Sequence, residues 1–322
     1  MSATLHARLT GVGGYLPREA LTNDELAAKY GLETSDEWIR TRTGITQRHI
    51  VSGDENTASM GANAARQALD YAGVSVDDVD AVLVATSTPD RVFPAAAVQI
   101  QALLGMHRGF GFDISAACSG FVYALATADA MIRSGQVRKI LVIGTEVFSR
   151  LLDWEDRTTC VLFGDGAGAV LLEAGDEEGI LSTHLHSDGR TGNILYVDGA
   201  AGCTQTTQRL KMMGREVFRH AVAKLSQAVD EALAANSLTG KDIQWLVPHQ
   251  ANLRIIDGMA KKLALPSDRV VVTVGRHANT SAASIPLALN EAVRDGRIRK
   301  GDLVLMEALG GGLTWGSALV RM

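Results

Sequence analysis

Cysteine is scarce in this chain. The 322 residues hold three, Cys118, Cys160 and Cys203. An odd number at wide spacing excludes a disulfide framework, and with no CxxC pair no metal site is expected. A reducing compartment fits that usage, so a cytoplasmic protein is expected. Long apolar runs are missing too. Nothing approaches 18 consecutive apolar residues, which excludes a membrane-spanning helix, and MSATLHARLTGVGGYLP lacks an apolar core of signal-peptide length. Positive charge is not in excess. The net charge of −5 argues against nucleic acid as a partner. Low-complexity segments and long linkers are absent as well.

What is present is an ordinary soluble composition, 46% hydrophobic and 21% charged. The length exceeds one ordinary core, so two domains or two fused halves are expected. Apolar, β-branched runs at 81–86, 139–146, 245–249 and 302–307 alternate with helical patterns at 57–72, 119–133, 215–235 and 282–293. That rhythm predicts a layered α/β architecture.

A weak internal repeat runs through it. GVSVDDVDAVLVA (73–85) returns as SLTGKDIQWLVPH (237–249), an offset of 164 residues. SGQVRK (134–139) returns as DGRIRK (295–300), an offset of 161. The first offset sets His249 opposite Ala85, and the second sets Asn279 opposite Cys118. Duplicated units would place these positions at equivalent element ends, facing one another. The natural joint is the polar stretch at 174–213, which divides the chain into halves 1–174 and 175–322.

Cys118 lies in GFGFDISAACSGFVYALATADAMI. The start reads as a buried strand, and helical spacing begins at Ser119. A thiol at a helix start faces free N–H groups and the positive end of the helix dipole, which can lower its pKa and favour the nucleophilic thiolate. The plainer alternative is a buried structural cysteine. That alternative suits Cys160, inside TTCVLFG, and Cys203 reads as incidental in its polar loop. His249 ends the strand WLVPH, and Asn279 lies at a strand-to-helix junction followed by small residues. A nucleophilic Cys with two neutral donors suits chemistry in which an oxyanion forms on a thioester. The glycines of ALGGGLTWGSALV, Gly311 among them, would let a backbone N–H approach as part of an oxyanion hole.

Two other motifs are set aside. GDGAG (164–168) lacks the Lys-Ser/Thr of a phosphate loop and reads as a tight turn. His184 and His186 form an HxH without a visible third ligand.

The motifs together resemble the β-ketoacyl-acyl carrier protein synthase III family, over nearly the whole chain. They are TSDEWIRTRTGITQRHI (34–50), DISAACSGF (113–121), DRTTCVLFGDGAGAV (156–170), STHLHSDG (182–189), WLVPHQANLRII (245–256), RHANTSAAS (276–284) and EALGGGLTWGSALV (307–320). The resemblance implies a thiolase-like fold with duplicated α-β-α-β-α layers, and a homodimer. It implies a Cys118–His249–Asn279 triad and an oxyanion hole from the backbone of Cys118 and Gly311. Cys118 would take an acyl group from acyl-CoA; malonyl-acyl carrier protein would then lose CO2 and attack it. No metal or cofactor is implied.

The resemblance also assigns binding positions. Trp38 and Arg157 would hold the CoA adenine, with Thr34, Arg42, Gly214 and Asn252 as further CoA contacts. Arg219, Gln250, Ala251, Asn252, Leu253, Arg254, Lys261 and Lys262 would meet the acidic carrier protein. Arg254, Lys261 and Lys262 fall on one side of a helix whose other side is Ile255, Ile256, Met259 and Leu263. Phe93 would enter the acyl pocket of a dimer partner and favour short primers such as acetyl.

There are departures from the family pattern. Ala278 stands where Gly is usual before the Asn, and would be strained if φ is positive there. Leu309 replaces a common Phe, and an extra residue or two precedes Trp38. A thiolase would need a second Cys near the final glycines, and an elongating synthase a second His at Asn279; this chain has neither. An acyltransferase of secondary metabolism and an inactive acyl-CoA-binding subunit are the remaining alternatives.

Overall fold

The computed structural model describes residues 5–199 and 208–322. Cys203 lies outside the described residues. The first half runs β1 (His6–Tyr15), β2 (Glu19–Thr22), α1 (Asn23–Tyr30), α2 (Asp36–Thr43), β3 (Gln47–Ile50), α3 (Thr57–Ala72), β4 (Ala81–Ala85), α4 (Ala96–Leu104), β5 (Phe110–Ile114), α5 (Gly120–Arg133), β6 (Lys139–Glu146) and β7 (Gly166–Gly175). The second continues with β8 (Ile180–Ser187), β9 (Leu195–Val197), β10 (Leu210–Met212), α6 (Gly214–Ala235), β11 (Trp245–Pro248), α7 (Leu253–Lys262), α8 (Val274–His277), α9 (Ser284–Arg294), β12 (Leu303–Gly310) and β13 (Thr314–Arg321).

Local chemistry explains several of these boundaries. Asn56 opens α3 with a reciprocal cap to Ser59, and Gly73 closes it at φ 66°. Thr22 and Glu25 cap α1 in the same way. The run AVLVA of β4 is buried at every residue, which demands cover on both faces of its sheet.

Two sheets result. The first has the order β1-β7-β6-β4-β5 and the second β11-β12-β13-β8. β4 pairs in parallel with β5 and β6, and β6 pairs antiparallel with β7. The second sheet repeats this: β11 is parallel to β12, and β12 antiparallel to β13. A lone parallel bridge from Leu246 to Val270 stands where β5 stands in the first half. Helices α5 and α9 fill the space between the sheets through Phe121, Leu125, Ile285 and Leu289. Helices α3 and α4 cover the outside of the first sheet, and α6 and α7 the outside of the second. This is the duplicated five-layer α-β-α-β-α architecture.

The two offsets have a physical basis. Ala81 and Trp245 begin equivalent strands 164 residues apart. Arg133 and Arg294 end equivalent helices 161 residues apart, and the three-residue difference is absorbed ahead of β12. Immediately before Cys118, Ala117 has φ 47°; immediately before Asn279, Ala278 has φ 57°. Equivalent backbone kinks thus present Cys118 and Asn279.

The halves also cradle each other. A Cβ on Gly144 of β6 would sit 2.2 Å from the Ala282 carbonyl oxygen, in the loop after Asn279. A Cβ on Gly310 of β12 would sit 2.6 Å from the backbone nitrogen of Cys118. Only glycine fits either place, because no real Cβ approaches so closely.

Three local expectations need correction. β5 is not a buried strand: it is a sheet edge, with Phe110 and Phe112 exposed. Gly166 and Gly168 of GDGAG lie within β7 rather than in a turn. A Cβ on Gly168 would press on the Leu287 nitrogen at 2.6 Å, so that glycine admits α9. Asn279 follows the short α8 rather than a strand, and its backbone bridges Phe163.

Candidate active site

Cys118 sits in a single 3-10 turn (117–119) that leads into α5. The turn is tied to the second half. Ser119 Oγ lies 2.6 Å from Thr314 Oγ1, and Thr314 Oγ1 donates to the Ala116 carbonyl at 3.0 Å. Burial pushes the Cys118 thiol up to about 12, a hydrogen bond with Ser281 acts the other way, and the charge of Glu146 adds to the rise. This corrects the expectation of a lowered pKa. The helix start was legible in the sequence, but the enclosure around it was not.

His249 follows the last residue of β11, and its N–H donates to the Glu307 carbonyl at 2.8 Å. Burial holds its imidazole down to about 4, so it is neutral at pH 7. Nδ1 lies 2.6 Å from Ser284 Oγ, which already accepts from the Gln250 N–H at 3.2 Å. The Ser284 hydroxyl proton is therefore best spent on Nδ1, which leaves the ring proton on Nε2.

The Asn279 main chain is held at both ends. Its N–H donates to Leu162 at 2.9 Å, and its carbonyl accepts from the Gly164 N–H at 3.0 Å. Its Oδ1 accepts from the Ser281 N–H at 2.8 Å, so the amide turns its NH2 outward as a donor. Cys118, His249 and Asn279 are each 6% exposed, so each has one narrow opening rather than a surface.

Ser281, Ser284 and Glu146 are part of this arrangement and were missed in the sequence. Glu146 carried the readable signal: a carboxylate at the end of an otherwise apolar strand, KILVIGTE, is expensive unless partnered. Its partners are hydroxyls and a backbone N–H, from Thr86, Ser87, Thr88 and Ser281.

Toward the surface, the Arg42 guanidinium lies 4.5 Å and that of Arg157 5.3 Å from the Trp38 ring centroid. Arg157 also donates to the Glu33 carbonyl. Thr34 is half-buried at the start of this segment, and Gly214 is exposed as the first residue of α6. Asn252 caps α7 through the Arg254 N–H and reaches the Arg42 carbonyl at 3.2 Å. Leu253 packs on Gly44, where an added Cβ would lie 2.6 Å from the Leu253 Cβ. Helices α2 and α7 therefore abut, and the positions assigned to CoA come together.

The helix α7 divides as expected. Ile255, Ile256, Met259 and Leu263 are buried, while Arg254, Lys261 and Lys262 are exposed. Ala251 and Leu253 are half-buried, and Arg219 is exposed beside Glu216. Lys262 is taken by Asp230 at 2.8 Å. Gln250 does not belong on that surface. It is fully buried, and its amide is spent on Pro248, Val271, Thr273 and Val274. Phe93 is 82% exposed, outside the protomer's own site. Gly311 follows β12, and its neighbour Gly310 makes the close approach to Cys118. His184 and His186 both turn to Glu231, at 3.3 and 2.6 Å. Cys160 is buried, which pushes its thiol up to about 11.

A buried cysteine at a helix start, set between a neutral imidazole and a primary amide, defines an acyl-transfer enzyme of the thiolase-like class. Comparison with known proteins narrows that class. Residues 112–189 match the family model 3-oxoacyl-[acyl-carrier-protein (ACP)] synthase III, and residues 233–322 match its C-terminal model. A curated relative from Acidiphilium cryptum, named beta-ketoacyl-[acyl-carrier-protein] synthase III, is 69% identical over 97% of this chain and 98% of its own. Another from Granulibacter bethesdensis is 66% identical over 98% of each. The crystal structure of 3-oxoacyl-[acyl-carrier-protein] synthase III from Aquifex aeolicus superposes with a TM-score of 0.93. It is 44% identical, and the match covers 98% of this chain and all of that one. The chain belongs to the β-ketoacyl-[acyl-carrier-protein] synthase III family. It is an acyltransferase, a condensing enzyme that initiates fatty acid synthesis.

Proposed function

We propose that Cys118 carries the primer acyl group, and that His249 and Asn279 act on the malonyl partner. The sulfur attacks the thioester carbonyl of a short acyl-CoA, acetyl-CoA in the first instance, and CoA leaves. Malonyl-acyl carrier protein then loses CO2, and the enolate oxygen accepts hydrogen bonds from His249 Nε2 and Asn279 Nδ2. The enolate carbon attacks the acyl-enzyme and yields 3-ketoacyl-carrier protein. Backbone N–H groups of Cys118 and Gly311 would hold the oxyanion of each tetrahedral intermediate. The observation that carries this reading is the neutral His249, held down to about 4 with Nδ1 engaged by Ser284. Such a ring is a donor rather than a base. Decarboxylation itself supplies the carbanion, so the chemistry calls for no metal or other cofactor.

The outer residues fit the two substrates. Trp38 and Arg157 would clasp the CoA adenine, with Thr34, Arg42, Gly214 and Asn252 along the same entrance. A purine between them needs about 7 Å, two contact distances of about 3.5 Å. At 5.3 Å the clasp is closed, so Arg157 would swing aside on binding. The exposed Arg254, Lys261 and Arg219 would steer the acidic carrier protein, with Ala251, Asn252 and Leu253 beside them. The exposed edge β5, with Phe110 and Phe112, supports a homodimer built across that edge, alongside exposed Val92, Phe93, Val98 and Leu103. Phe93 would then reach the partner's acyl pocket. The halves would meet near residues 174 and 175, and the enzyme would work in the cytoplasm.

Radiolabelled acetyl-CoA tests this reading. Label should appear on Cys118 and be absent from Cys118→Ser. Added malonyl-carrier protein should then release CO2 and ketoacyl product. Asn279→Ala should still take label but lose decarboxylation by roughly 10² or more. Labelling that survives Cys118→Ser, or decarboxylation that survives Asn279→Ala, removes the assigned role.

A further inference from the structure

The acyl-transfer step leaves a proton to be placed. Cys118 is a neutral thiol in a closed site, and His249 has its Nδ1 occupied and presents Nε2 as a donor. Another acceptor is needed, and one group stands behind the cysteine. Ser281 Oγ is hydrogen-bonded with the Cys118 thiol and donates to Glu146 Oε1 at 3.0 Å. The loops that carry these residues are packed together. A Cβ on Gly120, two residues after Cys118, would lie 3.5 Å from the Ala282 Cβ.

The hydroxyls around Glu146 differ in one respect. Thr88 Oγ1 donates to Oε2 at 2.6 Å and accepts from the Val147 N–H at 2.8 Å. Thr86 Oγ1 donates to Oε2 at 3.3 Å and accepts from the Thr88 N–H at 3.1 Å. The Ser87 N–H completes the set at 3.1 Å. Both threonines have their accepting side filled by backbone. Ser281 does not, because its own N–H goes to Asn279. Its lone pair is open toward the thiol. Thr86, Thr88 and Ser281 thus converge on a carboxylate, and one of the three can pass a proton onward.

We propose that Glu146 receives the Cys118 proton through the Ser281 hydroxyl during acylation, stores it while the acyl-enzyme persists, and returns it when condensation frees the sulfur. This rests on the acyl-Cys118 reading above. As the sulfur bonds to the acyl carbon, the S–H proton moves to Ser281 Oγ and the Ser281 proton moves to Oε1. The carbon–sulfur bond to CoA breaks, and CoA leaves as a thiolate that takes its proton from water. In the second step the enolate carbon bonds to the acyl carbon and the bond to Cys118 breaks. The proton then travels back from Glu146 through Ser281 to the sulfur. One proton is consumed from solvent per turnover, as decarboxylation requires, and the protein ends as it began.

The acceptor must be ionised to work, and burial pushes the Glu146 carboxyl up to about 7. Titratable groups on the surrounding elements are Cys118, Asp165 ahead of β7 and Asp90 at the start of α3. Asp165 is engaged by Ser149 and Val51, and Asp90 by the N–H groups of Thr57 and Ala58. Cys118 is the one whose own thiol feels the charge of Glu146.

Single-turnover acylation by labelled acetyl-CoA, followed from pH 5.5 to 9, tests the proposal on the full-length enzyme. Wild-type acylation should rise through about pH 7. Glu146→Gln and Ser281→Ala should each slow acylation roughly 100-fold and lose that rise, in line with removal of a general base. Both should still decarboxylate malonyl-carrier protein, because Ser281→Ala keeps the N–H that orients Asn279. Wild-type acylation rates and pH profile in either variant would overturn the proposal. So would equal loss of both half-reactions, which would make Glu146 a structural group. Absence of label on wild-type Cys118 would instead overturn the underlying assignment of the nucleophile.

Discussion

Replacing Glu307 by Gln isolates the effect of a buried, unpaired carboxyl on stability. Glu307 lies on β12, opposite Pro248 on one side and Ser317 on the other. It is buried, and its Oε2 has no hydrogen-bond partner. Burial pushes its carboxyl up to about 8 from 4.5, so the folded protein holds the proton at pH 7 while the unfolded chain does not. The sign follows directly. A folded-state pKa above the unfolded value gives stability that is complete below about pH 4.5 and lost as pH rises through about 8. At 1.36 kcal/mol per pH unit, that interval is worth at most about 5 kcal/mol. Gln has the shape of the neutral acid and cannot ionise. The variant should therefore match the wild type at pH 5 and exceed it at pH 8.5, by several degrees in midpoint. Thermal unfolding of both proteins at the two pH values is the assay. The same difference in midpoint at pH 5 and pH 8.5 would refute the reasoning, because a packing effect has no pH dependence.

Two further substitutions probe the site's frame and its mouth. Ala278 is fully buried at φ 57°, ψ −161°, a region suited only to glycine, and the strain is of order 1–3 kcal/mol. Ala278→Gly relieves it but loses a buried methyl and gains unfolded-state entropy, together about 1.5 kcal/mol. A net gain of up to about 1 kcal/mol in denaturant unfolding is expected, and a loss above 1 kcal/mol would contradict the strain. Arg254→Glu should weaken use of malonyl-carrier protein tenfold or more at low salt while acylation by acyl-CoA continues; equal loss in both steady-state assays would remove Arg254 from docking.

The sequence carried the periodic elements well, because apolar spacing is local. The strand at 139–146 and the helix at 57–72 coincide with β6 and α3. The repeat was legible since both halves kept their strand and helix signatures. What was not legible depends on enclosure. The Cys118 thiol is raised rather than lowered because surrounding layers exclude water, and no neighbour in sequence reports that. Gln250 has the polarity of a surface residue, yet four backbone groups from two strand ends and the start of α8 consume its amide. β5 looked internal because Phe-Gly-Phe is apolar, whereas its free edge is decided by sheet order. Ser281 is an unremarkable serine until folding places Glu146 behind it.

The mutual cradling by Gly144 and Gly310 bears on how such a site could arise. In a symmetric pair of identical units, each unit's central strand would hold the other's kinked loop, and both loops would present the same residue. Joining the units in one chain removes that identity. One copy of the position then keeps sulfur for Cys118, while the other becomes the amide of Asn279, so a covalent carrier and an anion donor share one cavity. Division of labour within the site is thus a product of broken symmetry, and the paired positive-φ alanines, Ala117 and Ala278, are its surviving trace.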